Sequence, residues 1–296
     1  MHIPVLLHES IKALNINGSG RYVDATYGGG GHSKEILTQL SNSGQLFAFD
    51  QDEHAKDRVV KDDRVVFISE NFRHIHRFLR LEGVSQVDGV LADLGMSSFQ
   101  LDSQDRGFST RYDAPLDMRM NISGSKTAAE ILNQYTEKQL HIMFQNYGEL
   151  RNARSLAKEI VQVRKSAPFT TTADFIAKIE SSIKGKRNRY LAQVFQALRI
   201  EVNEEMDVLK EFLISSTKVL KPGGRLAVIT FHSLEDRLVK RFMKTGTFDG
   251  QVETDVFGNF EKPLSEVSKK PITPSEEEIK QNKRSRSAKL RVAEKN

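Results

Sequence analysis

The sequence predicts an α/β fold: one parallel sheet with crossover helices, interrupted by an all-helical insertion. Three observations predict it. In the first third of the chain, short β-branched apolar runs alternate with helical patterns. Residues 124–203 then show helical periodicity in succession with no convincing strand. From residue 204 the α/β alternation resumes. The expected organisation is a discontinuous α/β domain, 1–123 with 204–296, carrying a helical domain over 124–203.

In chain order, Arg21–Thr26 reads as a strand, followed by a glycine-rich turn and a helix over Ser33–Leu40. Further strands are expected at Gln45–Asp50, Val65–Ser69 and Val87–Asp93. Apolar residues at i, i+3 and i+4 then mark helices at Thr127–Tyr135, Glu137–Tyr147, Asn152–Lys165, Thr172–Ile183 and Asn188–Val202, several starting at Ser or Thr. A helix over Glu205–Leu220, the breaker Lys221-Pro222-Gly223-Gly224 and a strand over Arg225–Phe231 complete the sheet. Lys289–Ala293 alternates like a final strand.

Composition narrows the function. The 296 residues are 38% hydrophobic and 28% charged with a net charge of +5, a weakly basic balance that favours a polyanionic partner. With no cysteine, disulfides, thiolate metal sites and cysteine nucleophiles are excluded. The start Met1-His2-Ile3-Pro4 lacks the features of a signal peptide, and no apolar run is long enough to span a bilayer, so a cytoplasmic protein is expected. His74 and His76 read as exposed helix, and no metal is implied.

The chemistry gathers at strand ends. Val23-Asp24-Ala25-Thr26-Tyr27-Gly28-Gly29-Gly30-Gly31-His32-Ser33 is a strand running through glycines into a helix, which brings backbone amides close to a ligand. Asp50 ends the next strand, twenty residues past Gly30, where an acid accepts ribose hydroxyls of an adenosine moiety. Dinucleotides and S-adenosylmethionine both use this geometry. Ser33, where a dinucleotide fingerprint places its third glycine, leans toward the sulfonium cofactor. Asp93 ends the fourth strand and is expected to face the same crevice, or else to cap the turn that follows.

Gly30-Gly31-His32-Ser33, Ala92-Asp93-Leu94-Gly95-x-Ser97-Ser98-x-Gln100, Asp105-Arg106-Gly107-Phe108-Ser109, Leu116-Asp117-Met118-Arg119-Met120 and Phe231-His232-Ser233-Leu234-Glu235-Asp236-Arg237 follow in order, with Arg284-Ser285-Arg286-Ser287-Ala288-Lys289-Leu290-Arg291-Val292 at the end. From His8-Glu9 to the C-terminus the chain resembles the bacterial 16S ribosomal RNA cytosine-N4 methyltransferase family, the RsmH (formerly MraW) type. The resemblance implies a Rossmann-like class I S-adenosylmethionine-dependent methyltransferase sheet with a helical insertion for RNA recognition. It implies cofactor contacts at Gly30, Gly31, His32, Asp50, Phe72, Asp93 and Gln100, Phe72 lying against the adenine face. The implied substrate is a cytosine amine in the decoding region of 16S rRNA within the small ribosomal subunit, with neither DNA nor a membrane as partner. Monomer and homodimer both remain open.

Attack on cytosine carbon 5 needs a covalent nucleophile, usually cysteine, whereas the N4 amine needs only orientation and in-line displacement. Asp93 is the expected catalytic acceptor of the amine hydrogen. Many amino-methylases end this strand with Asp/Asn/Ser-Pro-Pro-aromatic, the aromatic stacking on the base. Here Asp93-Leu94-Gly95-Met96 leaves the stacking residue unidentified. His232 is a second candidate near the base, or simply a strand-end histidine in a hydrogen bond. Phosphate contacts are expected from Lys184-Gly185-Lys186-Arg187-Asn188-Arg189 and from the tail Lys280–Asn296, unless these are only solvated faces. A nucleotide-dependent oxidoreductase and a non-catalytic RNA-binding protein are the competing readings.

Overall fold

The computed structural model describes residues 4–96, 105–122, 124, 126–252, 254, 260 and 262–296. They form two compact units, Met1–Gly95 with Met206–Asn296, and Met96–Glu205.

The first unit is built on a seven-stranded sheet of order β3-β2-β1-β4-β5-β7-β6. Its strands are β1 Arg21–Asp24, β2 Gln45–Phe49, β3 Val65–Ile68, β4 Val87–Asp93, β5 Leu220–Thr230, β6 Leu264–Glu266 and β7 Lys289–Lys295. β1 to β5 are mutually parallel, and β7 inserts antiparallel between β5 and β6. The parallel strands are those the alternation predicts, and the arrangement is the Rossmann-like one that the family resemblance implies. Strand order reverses at β1, which pairs with β2 on one side and β4 on the other, so the crevice of an open α/β sheet lies beyond their carboxyl ends. The strands read as continuous apolar runs because helices cover both faces. Val23, Leu46, Phe47, Val90, Leu91 and Ala227 are all buried.

Three features were not legible in the pattern. Helix α1, Leu7–Leu14, begins at Leu6 in the left-handed region with φ 52°, a conformation no apolar-period rule anticipates. β6 is three residues long and depends on pairing with β7. The breaker Lys221–Gly224 does not separate helix from strand: β5 starts at Leu220 and takes up the extra residues as a register shift opposite Val87–Gly89. The remaining helices of this unit are α2 Gly31–Gln39, α3 Ile75–Leu81, α9 Glu205–Val219, α10 Ser233–Thr245 and α11 Glu276–Gln281.

The second unit holds α4 Ala128–Gln134, α5 Glu137–Asn146, α6 Ala153–Val163, α7 Thr172–Lys178 and α8 Arg187–Val202. Thr127 with Glu130, and Thr136 with Gln139, form capping boxes at α4 and α5; each threonine cap is worth about 1 kcal/mol. Leu132, Phe144, Leu156, Phe175 and Val194 form its core. The unit begins at Met96, not at the expected residue 124, because Phe108, Leu116, Met118 and Met120 are buried in that same core. Asn203 locks the segment in place: its Nδ2 donates to Met118 O at 2.8 Å and its Oδ1 accepts from Met120 N at 2.7 Å. α7 stops at Lys178, short of the expected Ile183, and Glu180–Ser182 form a 3-10 turn. Side-chain bonds win there: Asn152 Nδ2 donates to Ser182 O at 2.8 Å, and the Ser181 and Ser182 hydroxyls donate to Glu159.

Candidate active site

The site starts at the end of β1. Asp24 is buried; its Oδ1 accepts from Thr26 N at 3.1 Å and its Oδ2 from Ser33 Oγ at 2.6 Å. Ser33 therefore ties the first turn of α2 to the strand end, a physical reason for a hydroxyl where a dinucleotide site would carry glycine. Sequence reasoning used Ser33 but missed Asp24. Burial pushes the Asp24 carboxyl above the usual carboxylate range.

The glycine turn is bare by necessity. Gly30 has φ 73°, and a Cβ there would stand 2.4 Å from the Tyr27 hydroxyl. That hydroxyl cannot yield, since it donates to Arg58 O at 3.0 Å and accepts from Val60 N at 3.1 Å. Gly31 opens α2 directly beneath Pro4, whose Cγ would lie 2.1 Å from an added Cβ. No side chain caps α2, so its first-turn amides carry the partial positive charge of a helix start. His32 is buried: Nε2 lies 3.1 Å from Val5 O, and because a carbonyl only accepts, Nε2 carries the hydrogen. Its Nδ1 faces Asp93 Oδ2 at 3.9 Å.

Asp50 follows β2. Its Oδ2 accepts from Gly28 N at 2.7 Å and its Oδ1 from Asp52 N at 2.8 Å. The acid thereby fixes the glycine turn, while each oxygen retains a lone pair for a ligand hydroxyl. Burial raises its pKa, and the two backbone bonds oppose that rise. Phe72 lies in a 3-10 turn after β3, half-buried and edge-on to Phe212 with centroids 5.1 Å apart. Asn71 joins this turn to the Asp50 loop, since its Nδ2 donates to Gln51 Oε1 at 2.8 Å. Gln100 lies outside the described residues.

Asp93 ends β4, and its backbone N–H donates to Thr26 Oγ1 at 2.7 Å, joining the β1 and β4 tips. Its side chain keeps 24% exposure, yet Oδ1 is buried and finds no hydrogen-bond partner among the described residues. Burial first, then the charges of Asp24, Glu235 and Glu278, push the carboxyl well above its ordinary range. Glu278 reaches this neighbourhood from α11, its Oε1 accepting from Leu6 N at 2.9 Å.

The tip of β5 adds what sequence reasoning could not find. Asp93 pairs with Ile229, so Gly95 comes beside Phe231, and a Cβ on Gly95 would stand 3.3 Å from the Phe231 ring. Gly95 has φ 112°, so glycine is required for conformation and for ring contact alike. His232 is the N-cap of α10; its Nδ1 accepts from Glu235 N at 3.4 Å, and Glu235 Oε2 accepts from Phe231 N at 2.8 Å. The histidine ring thus serves as a helix cap, and the capping box as a whole holds Phe231 at the strand tip.

The residues fit a cofactor that carries hydroxyls and an adenine. The glycine turn leaves room for close backbone approach, Asp50 has acceptor capacity, and Asp93 presents a buried oxygen with none of its capacity used. Over residues 1–296 the sequence matches the MraW methylase family. It is 55% identical over 295 residues to a protein of Flavobacterium johnsoniae called ribosomal RNA small subunit methyltransferase H, covering 99% of this chain and 97% of that one. It is 53% identical over 296 residues to the protein of the same name from Parabacteroides distasonis, with the same coverage. The chain belongs to the MraW methylase family, and its cofactor is S-adenosylmethionine.

Proposed function

We propose that the chain methylates the exocyclic N4 amine of a cytosine in the decoding region of 16S rRNA in the small ribosomal subunit, in the cytoplasm. Whole-length likeness to small-subunit rRNA methyltransferases supports the substrate class. The observation that carries the reading is the unspent Asp93 Oδ1 at the tip of β4. The absence of cysteine supports nitrogen over carbon 5, since no thiolate is available for covalent attack on the ring.

The bound cofactor supplies an electrophilic methyl group on a sulfonium sulfur. Gly30, Gly31 and His32 would approach it through the backbone, Asp50 would accept its ribose hydroxyls, and Phe72 would lie against its adenine. Gln100 belongs to the same proposed set. Asp93 accepts an N4–H hydrogen bond, which localises the amine lone pair for in-line displacement and gives the departing proton a first acceptor. A carboxyl held above the usual range suits that task better than a fully stabilised carboxylate. Phe231 supplies the aromatic face that the Asp93-Leu94-Gly95-Met96 turn lacks, so that an everted cytosine can stack beside Asp93.

The test is transfer of a labelled methyl group to under-modified small subunits, followed by nucleoside mass spectrometry. Label on cytosine N4 is the expected result. Label on another atom overturns the site, and RNA binding without transfer favours a non-catalytic role.

A further inference from the structure

Cations in the second unit divide into two classes. Several are consumed internally. Arg119 forms a two-pronged pair with Asp117, Arg199 with Glu205, and Arg187 with Glu180; Lys178 pairs with Asp174, and Arg164 donates to Leu132 O. Arg151, Arg154 and Lys158 have no hydrogen bond or ion pair among the described residues, and all three are exposed. Arg154 and Lys158 stand at i, i+4 spacing on one face of α6 with Arg151 in the turn just before it, while Ala153, Leu156, Ala157 and Ile160 on the opposite face enter the core.

The acids near this face do not cancel it. Glu159 accepts the Ser181 and Ser182 hydroxyls while lining a groove with Ser155 and Lys158, and Glu180 is taken by Arg187. Glu137 shares a shallow groove with Arg151, Asn152, Arg154, Ser155 and Lys158 and leaves the groove net positive. Arg154 also sits in the first turn of α6, where no acid is present and a cation opposes the helix dipole. Folding gains nothing from a cation there, whereas a bound anion would. The loop carrying Lys184 and Lys186, which leads into Arg189 on α8, is stitched to the start of α6 by Asn152 donating to Ser182 O at 2.8 Å.

We propose that Arg154 and Lys158 of α6, with Arg151 in the turn before it and Lys184, Lys186 and Arg189 continuing the surface, grip the phosphate backbone of the RNA substrate. The occupant is RNA because the free charges run along one helix face for more than a turn, which matches a linear polyanion better than a single small anion. This inference rests on the reading of the chain as an RNA methyltransferase. It shifts the centre of the basic surface from the loop to the helix, since Arg187 is already paired.

The experiment compares the full-length protein with the triple variant Arg151→Gln/Arg154→Gln/Lys158→Gln, using a transcript of the small-subunit decoding region and a salt series. Three lost phosphate contacts should lower the slope of log affinity against log salt by about 2, at roughly 0.7 per contact on single strands. KM for RNA should rise about tenfold or more with kcat and cofactor affinity preserved. Lys218→Gln in the other unit serves as a control and should change neither quantity. An unaltered slope in a triple variant with wild-type circular dichroism overturns the phosphate grip. If the triple variant is misfolded, the Arg154→Gln and Lys158→Gln single variants decide, each expected to lower the slope by about 0.7. A wild-type protein that neither binds nor methylates the transcript or the intact subunit overturns the functional reading instead.

Discussion

Asp50 follows β2 and Asp93 ends β4, the two strands that flank β1, and both are acids pushed upward in pKa by burial. Their surroundings differ in what they leave undone. Each Asp50 oxygen already accepts a backbone N–H, from Gly28 or from Asp52, so the carboxylate is part of the loop architecture as well as the proposed ribose acceptor. Asp93 has a buried oxygen with no partner among the described residues and three further acids acting on it. A fold does not keep an unsatisfied buried carboxylate oxygen without cost, which is typically about 1–3 kcal/mol. On the proposed reading, the difference separates an acid that builds a site from one held ready for chemistry.

That separation is broken most directly by Asp93→Ala. Loss of the amine-hydrogen acceptor should slow single-turnover methylation at saturating cofactor by about 10²–10⁴. Near-normal turnover would move the chemistry elsewhere. Asp50→Ala should show the opposite profile. It leaves the Gly28 and Asp52 N–H groups unpaired and removes the hydroxyl acceptor, so calorimetry should find cofactor binding weaker by about tenfold to a hundredfold. If Asp50→Ala instead lowered turnover with cofactor affinity intact, the two roles would have to be exchanged.

The two acids were not equally legible. Asp50 was readable because its position is set by spacing from the glycine turn, and all four strands of the first third fall within one or two residues of their expected ends. Asp93 was readable as a strand-tip acid, but its unsatisfied oxygen was not, because that depends on which groups other segments bring near it. Asp24 hid inside a strand, and its importance shows only in the bond from Ser33. Phe231 was hidden for a different reason. Its neighbour Gly95 is 136 positions earlier in the chain, and only the β4–β5 register brings the two together. The helical unit was legible by period and caps, but its start was not, since Phe108 through Met120 carry core residues without helical spacing.

Phe231 sharpens the comparison from the substrate side. Phe231→Leu keeps apolar packing on Gly95 but removes the π face. Stacking on an aromatic is worth about 1–3 kcal/mol per base, so KM for RNA should rise about fivefold to a hundredfold. Phe231→Tyr should remain close to wild type. Equal activity of the leucine and tyrosine variants would leave Phe231 as a packing residue only.

The smallest expected effect is on stability, and its sign distinguishes a functional acid from a structural one. A carboxyl whose pKa is raised on folding contributes stability that is complete below its unfolded value, near 3.8, and lost as pH rises through the folded value. Above that unfolded value, the raised pKa of Asp93 therefore works against the fold. Asp93→Asn removes that titration, so its thermal midpoint should exceed wild type at pH 7 by a few degrees, about 2–4 °C for each kcal/mol recovered. The gain should fade as pH falls toward 4. Asp24 and Asp50 shift in the same direction, so the variant should keep some decline with pH, shallower than that of the wild type. An inactive Asp93→Asn that is also more stable identifies a charge kept for catalysis against the interest of the fold. A less stable one would make Asp93 a structural acid like Asp50, and the contrast between the two strand tips would vanish.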